Sequence, residues 1–527
     1  MTDSTIISKI WNLANVMRDD GVGYGDYLEQ ITYLLFLKMV DELNKPLYNK
    51  KLQLPKLKDV EGKEIPKGEI CNWQNLTSKN GAELEAFYTQ LLRTLSTEKG
   101  MLGQIYVKSQ NKIQDPAKLQ RVITMIDKEN WMMLGADVKG KIYEGLLEKN
   151  AEDVKSGAGQ YFTPRALIKT MVKCVQPKPK KTIADPACGS GGFFLAAYDW
   201  ITKNYRLDKE EKEFLKNQTF HGNEIVANTR RMCLMNLYLH GIGEIDKEPL
   251  IDSGDALISE PKQTYHYVLA NPPFGKKSSI TITNEEGELE QEDLSYNRQD
   301  FWETTSNKQL NFLQHIKTLL SIDGEAAVVL PDNVLFEGGA GEEIRKQLLK
   351  STELHTILRL PTGIFYANGV KANVLFFKNK RGGKENATKE VWIYDYRTNV
   401  HHTLKKKPLT ETDLDDFVKC YNPSNIYKRK ETWSETNPDS RWRRFSYYEI
   451  IARDKTSLDI FWIKDKSLTD LDNLPDPDIL AQEIIDNIEA GLDNFRQILS
   501  ILEDDSEDHM TYESNKKTTK KAKAKER

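Results

Sequence analysis

The chain has 527 residues, more than one hydrophobic core usually serves, so two to four units are expected. Its 75 Lys plus Arg nearly balance 79 Asp plus Glu, which argues against gripping nucleic acid through bulk positive charge alone. Cys71, Cys174, Cys188, Cys233 and Cys420 form no CxxC pair, which speaks against disulfides and a zinc site and fits a reducing cytoplasm.

Met1 to Ser4 do not begin the basic-then-apolar pattern of a signal peptide. The longest apolar run, Ile31 to Val40, is short and contains Lys38, so no membrane span is expected. Residues 1–150 read as a helical N-terminal domain. Leu28, Ile31, Leu35, Met39 and Leu43 recur at steps of three and four, predicting an amphipathic helix, with Asp26 and Glu29 as its capping-box start. The stretch from Lys45 to Gly68, rich in Lys, Pro and Gly, reads as a loop.

From 151 to 400 the fold class changes to α/β, with short apolar strands alternating with helices as in a parallel sheet. Strands are predicted at Thr182 to Ala184, Thr219 to Gly222, Tyr267 to Ala270, Ala326 to Leu330, Leu354 to Leu360 and Asn373 to Phe377. The polar insert from Lys276 to Lys308 reads as a mobile loop. Residues 401–510 read as a C-terminal helical region. Within it Ala481, Ile485, Ile488, Leu492, Phe495, Leu499 and Leu502 are spaced as a coiled-coil seam after Asp476-Pro477, with a helix packed on its own domain as the alternative. Residues 511–527 are a Lys-rich tail expected to be disordered.

The chemistry is concentrated where predicted strands end. In "TIADPACGSGGFF", Asp185 closes a strand, and Gly189, Ser190, Gly191 and Gly192 form a small turn into a helix. A dinucleotide fingerprint would need glycine at 194, where Phe194 stands, and no G-x-x-x-x-G-K-[ST] occurs. A carboxylate beside the turn repels phosphate and suits a cationic head, an amino group or a sulfonium. Glu224 in "FHGNEI" is placed for ribose hydroxyls, and Asp255 in "DSGDAL" for an adenine amino group. In "LANPPFG", Asn271, Pro272, Pro273 and Phe274 close the fourth strand. The Asn271 side-chain oxygen and the Pro272 carbonyl make two acceptors for one NH2, and Phe274 offers a face to a planar base.

The ordered set Gln160-Tyr161-Phe162-Thr163-Pro164, Asp185-Pro186-Ala187-Cys188-Gly189-Ser190-Gly191, Glu224, Asp255 and Asn271-Pro272-Pro273-Phe274 resembles the amino-group adenine DNA methyltransferases. The resemblance implies a Rossmann-like sheet that binds S-adenosylmethionine, with Gln160 to Arg165, Ser190 to Gly192 and Glu224 lining the cofactor pocket. The segments "YGDYLEQITYLLFLKMVDEL", "RLPTGIFYANGVKANVLFF" and "RDKTSLDIFWIKDKSL" resemble the modification subunits of type I restriction–modification systems. That likeness implies double-stranded DNA as substrate and a separate specificity subunit, with two modification chains per specificity chain. A restriction/translocase subunit is a further partner of the family.

Competing chemistries fit less well. A cytosine C5 methyltransferase needs a Pro-Cys dipeptide, which is absent, and cytosine amino methyltransferases usually carry Ser in place of Asn271. Glutamine methylation typically uses Tyr in place of Phe274. His401-His402 reads as plain surface rather than a metal site. Two other readings stay open at this level: a self-contained adenine methyltransferase, and a non-catalytic scaffold. Phe365 and Tyr366 are candidates for the other face of the target base, with core packing as the alternative.

Overall fold

The computed structural model describes residues 24–47, 53–59, 61–131, 163–245, 247–274, 279–283, 289–293, 296–365, 370–404, 406–465 and 485. Among the described residues five helices come first: α1 (Tyr24–Asn44), α2 (Trp73–Thr77), α3 (Gly81–Ser96), α4 (Gly100–Ile105) and α5 (Pro116–Asp127). Local chemistry sets their ends. Pro116 opens α5 while the Asp115 carboxylate accepts from the Ala117 amide at 2.8 Å. The predicted helix over residues 28–43 is found as α1, but Asp26 lies in its first turn rather than at its cap. Nor is α1 amphipathic: every residue from Gln30 to Val40 is buried, as in a helix enclosed on all sides. Lys38 tolerates this because its ammonium reaches Asp127 at 2.7 Å.

The α/β region begins with α6 (Arg165–Val175), β1 (Ile183–Asp185), α7 (Gly192–Asn204), α8 (Lys209–Asn217) and β2 (Phe220–Glu224). Next come α9 (Ala227–Leu239), β3 (Ile251–Ser253), β4 (Tyr265–Ala270) and a hairpin of β5 (Ser279–Thr283) and β6 (Leu289–Asp293). The chain continues with α10 (Lys308–Leu319), β7 (Leu320–Pro331), α11 (Asn333–Phe336), α12 (Ala340–Ser351), β8 (Thr352–Arg359), β9 (Ala372–Asn379) and β10 (Glu390–Asp395). It ends with α13 (Asp415–Tyr421), β11 (Trp442–Ser446) and α14 (Tyr447–Ile451).

Among the described residues nine strands make one sheet in the order β11-β10-β8-β9-β7-β4-β1-β2-β3. The sheet is mixed, which corrects the all-parallel expectation: β9 runs antiparallel to β7 and β8, and β11 antiparallel to β10. β10 and β11 extend it beyond the strands predicted from sequence. Along β4, Val268 and Ala270 join one core and Leu269 the other, and β7 alternates likewise. An apolar run buried on both faces is what a sheet covered by helices on both sides requires.

From β1 the chain steps to β2 and β3 on one side and later to β4 on the other. The switch point therefore opens a crevice between the carboxyl ends of β1 and β4, where ligands bind in open α/β sheets. The insert is not a plain loop, since β5 pairs with β6 and Tyr296 and Phe301 return to bury against Leu257 and Phe312. The N-terminal helices share a continuous core with α6, α7 and α9. Apart from Ile485, which is exposed, the predicted seam from Ala481 to Leu502 lies outside the described residues, as does the tail.

Candidate active site

Asp185 ends β1 on the crevice and is 2% exposed. Its carboxylate accepts from the Ala187 amide at 3.0 Å. Burial outweighs that bond and, with the nearby Glu224 charge adding to it, pushes the carboxyl up to about 8. A buried carboxylate so placed calls for a cation.

The turn after it is shaped by two left-handed glycines. Gly189 has φ +54 and open space where a side chain would start. Gly191, the N-cap of α7, has φ +83, and a Cβ there would lie 3.0 Å from Cys233 Sγ. Below the turn, Asn236 donates to the Ser190 carbonyl at 3.0 Å. Gly192 then starts α7, so the first-turn amides of that helix lie next to the turn.

Glu224 ends β2 and clamps this turn. One carboxylate oxygen accepts from the Gly189 amide at 3.0 Å and the other from the Val226 amide at 2.8 Å. Burial raises its pKa, and these amides oppose the rise. Ile225 and Val226, which sequence reasoning did not single out, follow it at 65% and 53% exposure, a large apolar exposure on the crevice rim. An apolar pair directly after an acid at a strand end was the available signal.

Asp255 lies two residues past β3. Its carboxylate accepts from the Leu257 amide at 2.9 Å and from the Tyr296 hydroxyl at 2.6 Å. Tyr296 was missed because 41 residues separate it from Asp255 and no local pattern pairs them.

Asn271, 7% exposed, stands at the end of β4 beside Thr163. Its Nδ2 donates to Thr163 Oγ1 at 2.7 Å, so Thr163 orients the amide and turns Oδ1 the other way. Pro272 is buried beside it, while Pro273 and Phe274 are partly exposed. Phe365, 2% exposed, meets Phe274 edge-on with ring centroids 5.6 Å apart and planes at 83°. Phe365 thus buttresses the Phe274 ring from within the core. Pro164 caps α6 and Arg165 opens it; Gln160, Tyr161, Phe162 and Tyr366 lie outside the described residues. The structure therefore brings Thr163, Asp185, the glycine turn, Glu224, Asp255 and Asn271 to Phe274 onto one rim.

His402 departs from its expected place on the surface. It is 5% exposed, with Nε2 2.8 Å from the Tyr396 hydroxyl and Nδ1 3.0 Å from the Lys407 carbonyl. Those partners make it a satisfied core histidine. Among the described residues no cluster of His, Cys, Asp or Glu is arranged to hold a metal, and no helix is long and apolar enough to cross a membrane.

A sheet that switches between β1 and β4, with acid, glycine turn, acid and Asn-Pro-Pro-Phe along one rim, defines an amino-group methyltransferase. The N-6 DNA Methylase family model matches residues 134–449, and the HsdM N-terminal domain model matches residues 6–126. The StySJI methylase subunit of Salmonella typhimurium is 39% identical over 93% of this chain and 94% of its own length. The EcoKI methylase subunit of Escherichia coli K12 is 38% identical over the same shares. The crystal structure of the EcoKI M protein covers 92% of this chain and 94% of its own, with 34% identity and a TM-score of 0.51. The chain belongs to the methylase subunits of type I restriction enzymes, adenine N6 DNA methyltransferases.

Proposed function

We propose that the crevice holds S-adenosylmethionine and that the rim residues divide its recognition among them. The observation that carries this is Asp185, a buried carboxylate pushed up to about 8 beside a glycine turn whose first glycine leaves open space. Asp185 pairs with the cofactor's cationic head, and Gln160 to Arg165 and Gly189 to Gly192 line the pocket around it. Glu224 takes the ribose hydroxyls with lone pairs left over from its two amide bonds. The exposed Ile225 covers an apolar face of the adenine, and Asp255 accepts from its amino group. When bound, S-adenosylmethionine supplies an electrophilic methyl on a sulfonium.

The substrate adenine is flipped out of duplex DNA and stacks on Phe274. Asn271 Oδ1 and the Pro272 carbonyl accept from its N6 amino group, drawing the nitrogen lone pair out of the ring and towards the methyl. Thr163 keeps the amide from turning over, and Pro272 and Pro273 keep the backbone from shifting. Positioning and two prearranged acceptors supply most of the acceleration. The proton that N6 sheds passes to solvent after transfer. In the cytoplasm, two such chains assemble with one specificity subunit that reads the bases, and a restriction/translocase subunit joins the same complex.

Glu224→Ala removes both the ribose acceptor and the clamp on Gly189. Calorimetry on this variant is expected to show S-adenosylmethionine affinity reduced by about 1.5–3 kcal/mol, the range for hydrogen bonds to a charged group. Unchanged affinity would remove Glu224 from the pocket.

The raised Asp185 makes binding pH-dependent, with a definite sign. Because its folded pKa of about 8 lies above that of an unfolded carboxylate, its contribution to stability is present at acid pH and lost as pH rises through about 8. Cofactor binding needs the ionised form, so below that value the free site must release a proton. Affinity is expected to fall about tenfold per pH unit on the acid side, with about one proton released at neutral pH. The alkaline limb belongs to the cofactor's own amine, whose pKa is near 7.7–8.0. Titration in buffers of different ionisation heat counts the proton, and Asp185→Asn should abolish its release. Release persisting in that variant would assign the proton elsewhere.

A further inference from the structure

We propose that Arg230 and Arg231 on α9 form a latch through which the N-terminal helices set the shape of the cofactor pocket, an inference that rests on the cofactor reading of Glu224. The helix carrying them starts at Ala227, directly after Val226, whose amide is held by Glu224 at 2.8 Å. One turn later, the two adjacent arginines reach in different directions. Arg230, 7% exposed, donates through Nε to the Ile251 carbonyl of β3 at 2.9 Å and through Nη1 to Gln104 of α4 at 2.6 Å. Arg231, 3% exposed, donates through Nη1 to Glu29 of α1 at 2.7 Å and through Nη2 to the Val107 carbonyl at 2.7 Å. Its guanidinium lies 5.0 Å over the Tyr33 ring, and the Tyr33 hydroxyl donates to the same Glu29 carboxylate.

Apolar contacts already pack α9 on α1, for Phe36 meets Tyr238 with ring centroids 5.6 Å apart. Two buried guanidiniums are not needed for cohesion, and burying them is costly unless each is fully partnered. What they add is direction. Their partners lie on α1, on α4 and the segment after it, and on β3, so the first turn of α9 is fixed in position relative to all of them. From Arg231 back to Val226 is five residues, about 7.5 Å along a helix, too short a lever to bend. A displacement of α1 at Glu29 therefore moves the Val226 amide, one of the two that hold the Glu224 carboxylate. By linkage the effect is reciprocal, and filling the pocket tightens the contacts of α1 and α4.

The test uses the full chain and calorimetric S-adenosylmethionine affinity. Glu29→Gln and Arg231→Met are each expected to weaken binding about tenfold, within the usual range of coupling between sites, and the double variant no further than either single. Asp127→Asn is the control for general loosening. It removes the charge through which Asp127 pairs with Lys38 at 2.7 Å and weakens the 2.7 Å bond that Trp73 donates, inside the N-terminal helices and without touching α9. It should lower the melting temperature and leave affinity unchanged. In the unmutated chain, S-adenosylmethionine should slow hydrogen exchange at residues 29–36 and 101–107 as well as around the crevice. The latch is overturned if the Glu29 and Arg231 variants lose affinity no more than Asp127→Asn does, or if exchange protection stops at α9. Glu224→Ala with unchanged affinity would instead sink the cofactor reading itself.

Discussion

Asn271→Ala is expected to lower single-turnover methyl transfer about 10²–10³-fold, the usual consequence of removing one prepositioned polar group from a catalytic site. S-adenosylmethionine affinity should stay close to that of the unmutated chain, because Asp185 and Glu224, the residues proposed to hold the cofactor, end other strands. Thr163→Val should act in the same direction but more weakly. It leaves the Asn271 amide in place and removes only the hydroxyl that orients it at 2.7 Å. Single-turnover transfer and equilibrium binding need to be measured on the same preparations. Equal losses in both would reduce Asn271 to a structural residue.

The second large effect concerns assembly. A nearly neutral chain, 75 basic against 79 acidic residues, has no bulk charge with which to hold DNA. The purified chain is expected to bind DNA weakly, without sequence preference and with strong salt dependence. Adding the specificity subunit should confer site-selective methylation. Deleting residues 477–502, where the apolar seam is predicted, should abolish that assembly while cofactor binding persists, as size-exclusion chromatography and calorimetry would show. Site-specific methylation by the chain alone would favour a self-contained enzyme.

Much of the candidate site was legible because its acids and its Asn stand at or near the point where an apolar strand stops at a polar residue. Asp185, Glu224 and Asn271 end β1, β2 and β4 or follow them directly, and strand ends are set by local pattern. Strand direction is not: the apolar run Asn373 to Phe377 reads alike whether β9 runs parallel or, as found, antiparallel. β11, Trp-Arg-Arg-Phe-Ser, is an edge strand with too few apolar residues for a periodicity to register. The enclosure of α1 could not be read from its leucines, since what surrounds it comes from helices far along the chain. Contacts such as Tyr296 to Asp255 and Arg231 to Glu29, the latter spanning 202 positions, depend on topology rather than on neighbours in sequence. Of the two, the Tyr296 hydroxyl fixes the Asp255 carboxylate directly.

The most direct measurement is to identify the methylated base. Duplex DNA is incubated with the chain, the specificity subunit and methyl-labelled S-adenosylmethionine, then digested to nucleosides and separated. Label is expected on N6-methyladenine alone, lost in Asn271→Ala and retained at the same sites in Asp127→Asn. Label on cytosine, on protein, or undiminished in Asn271→Ala would contradict it.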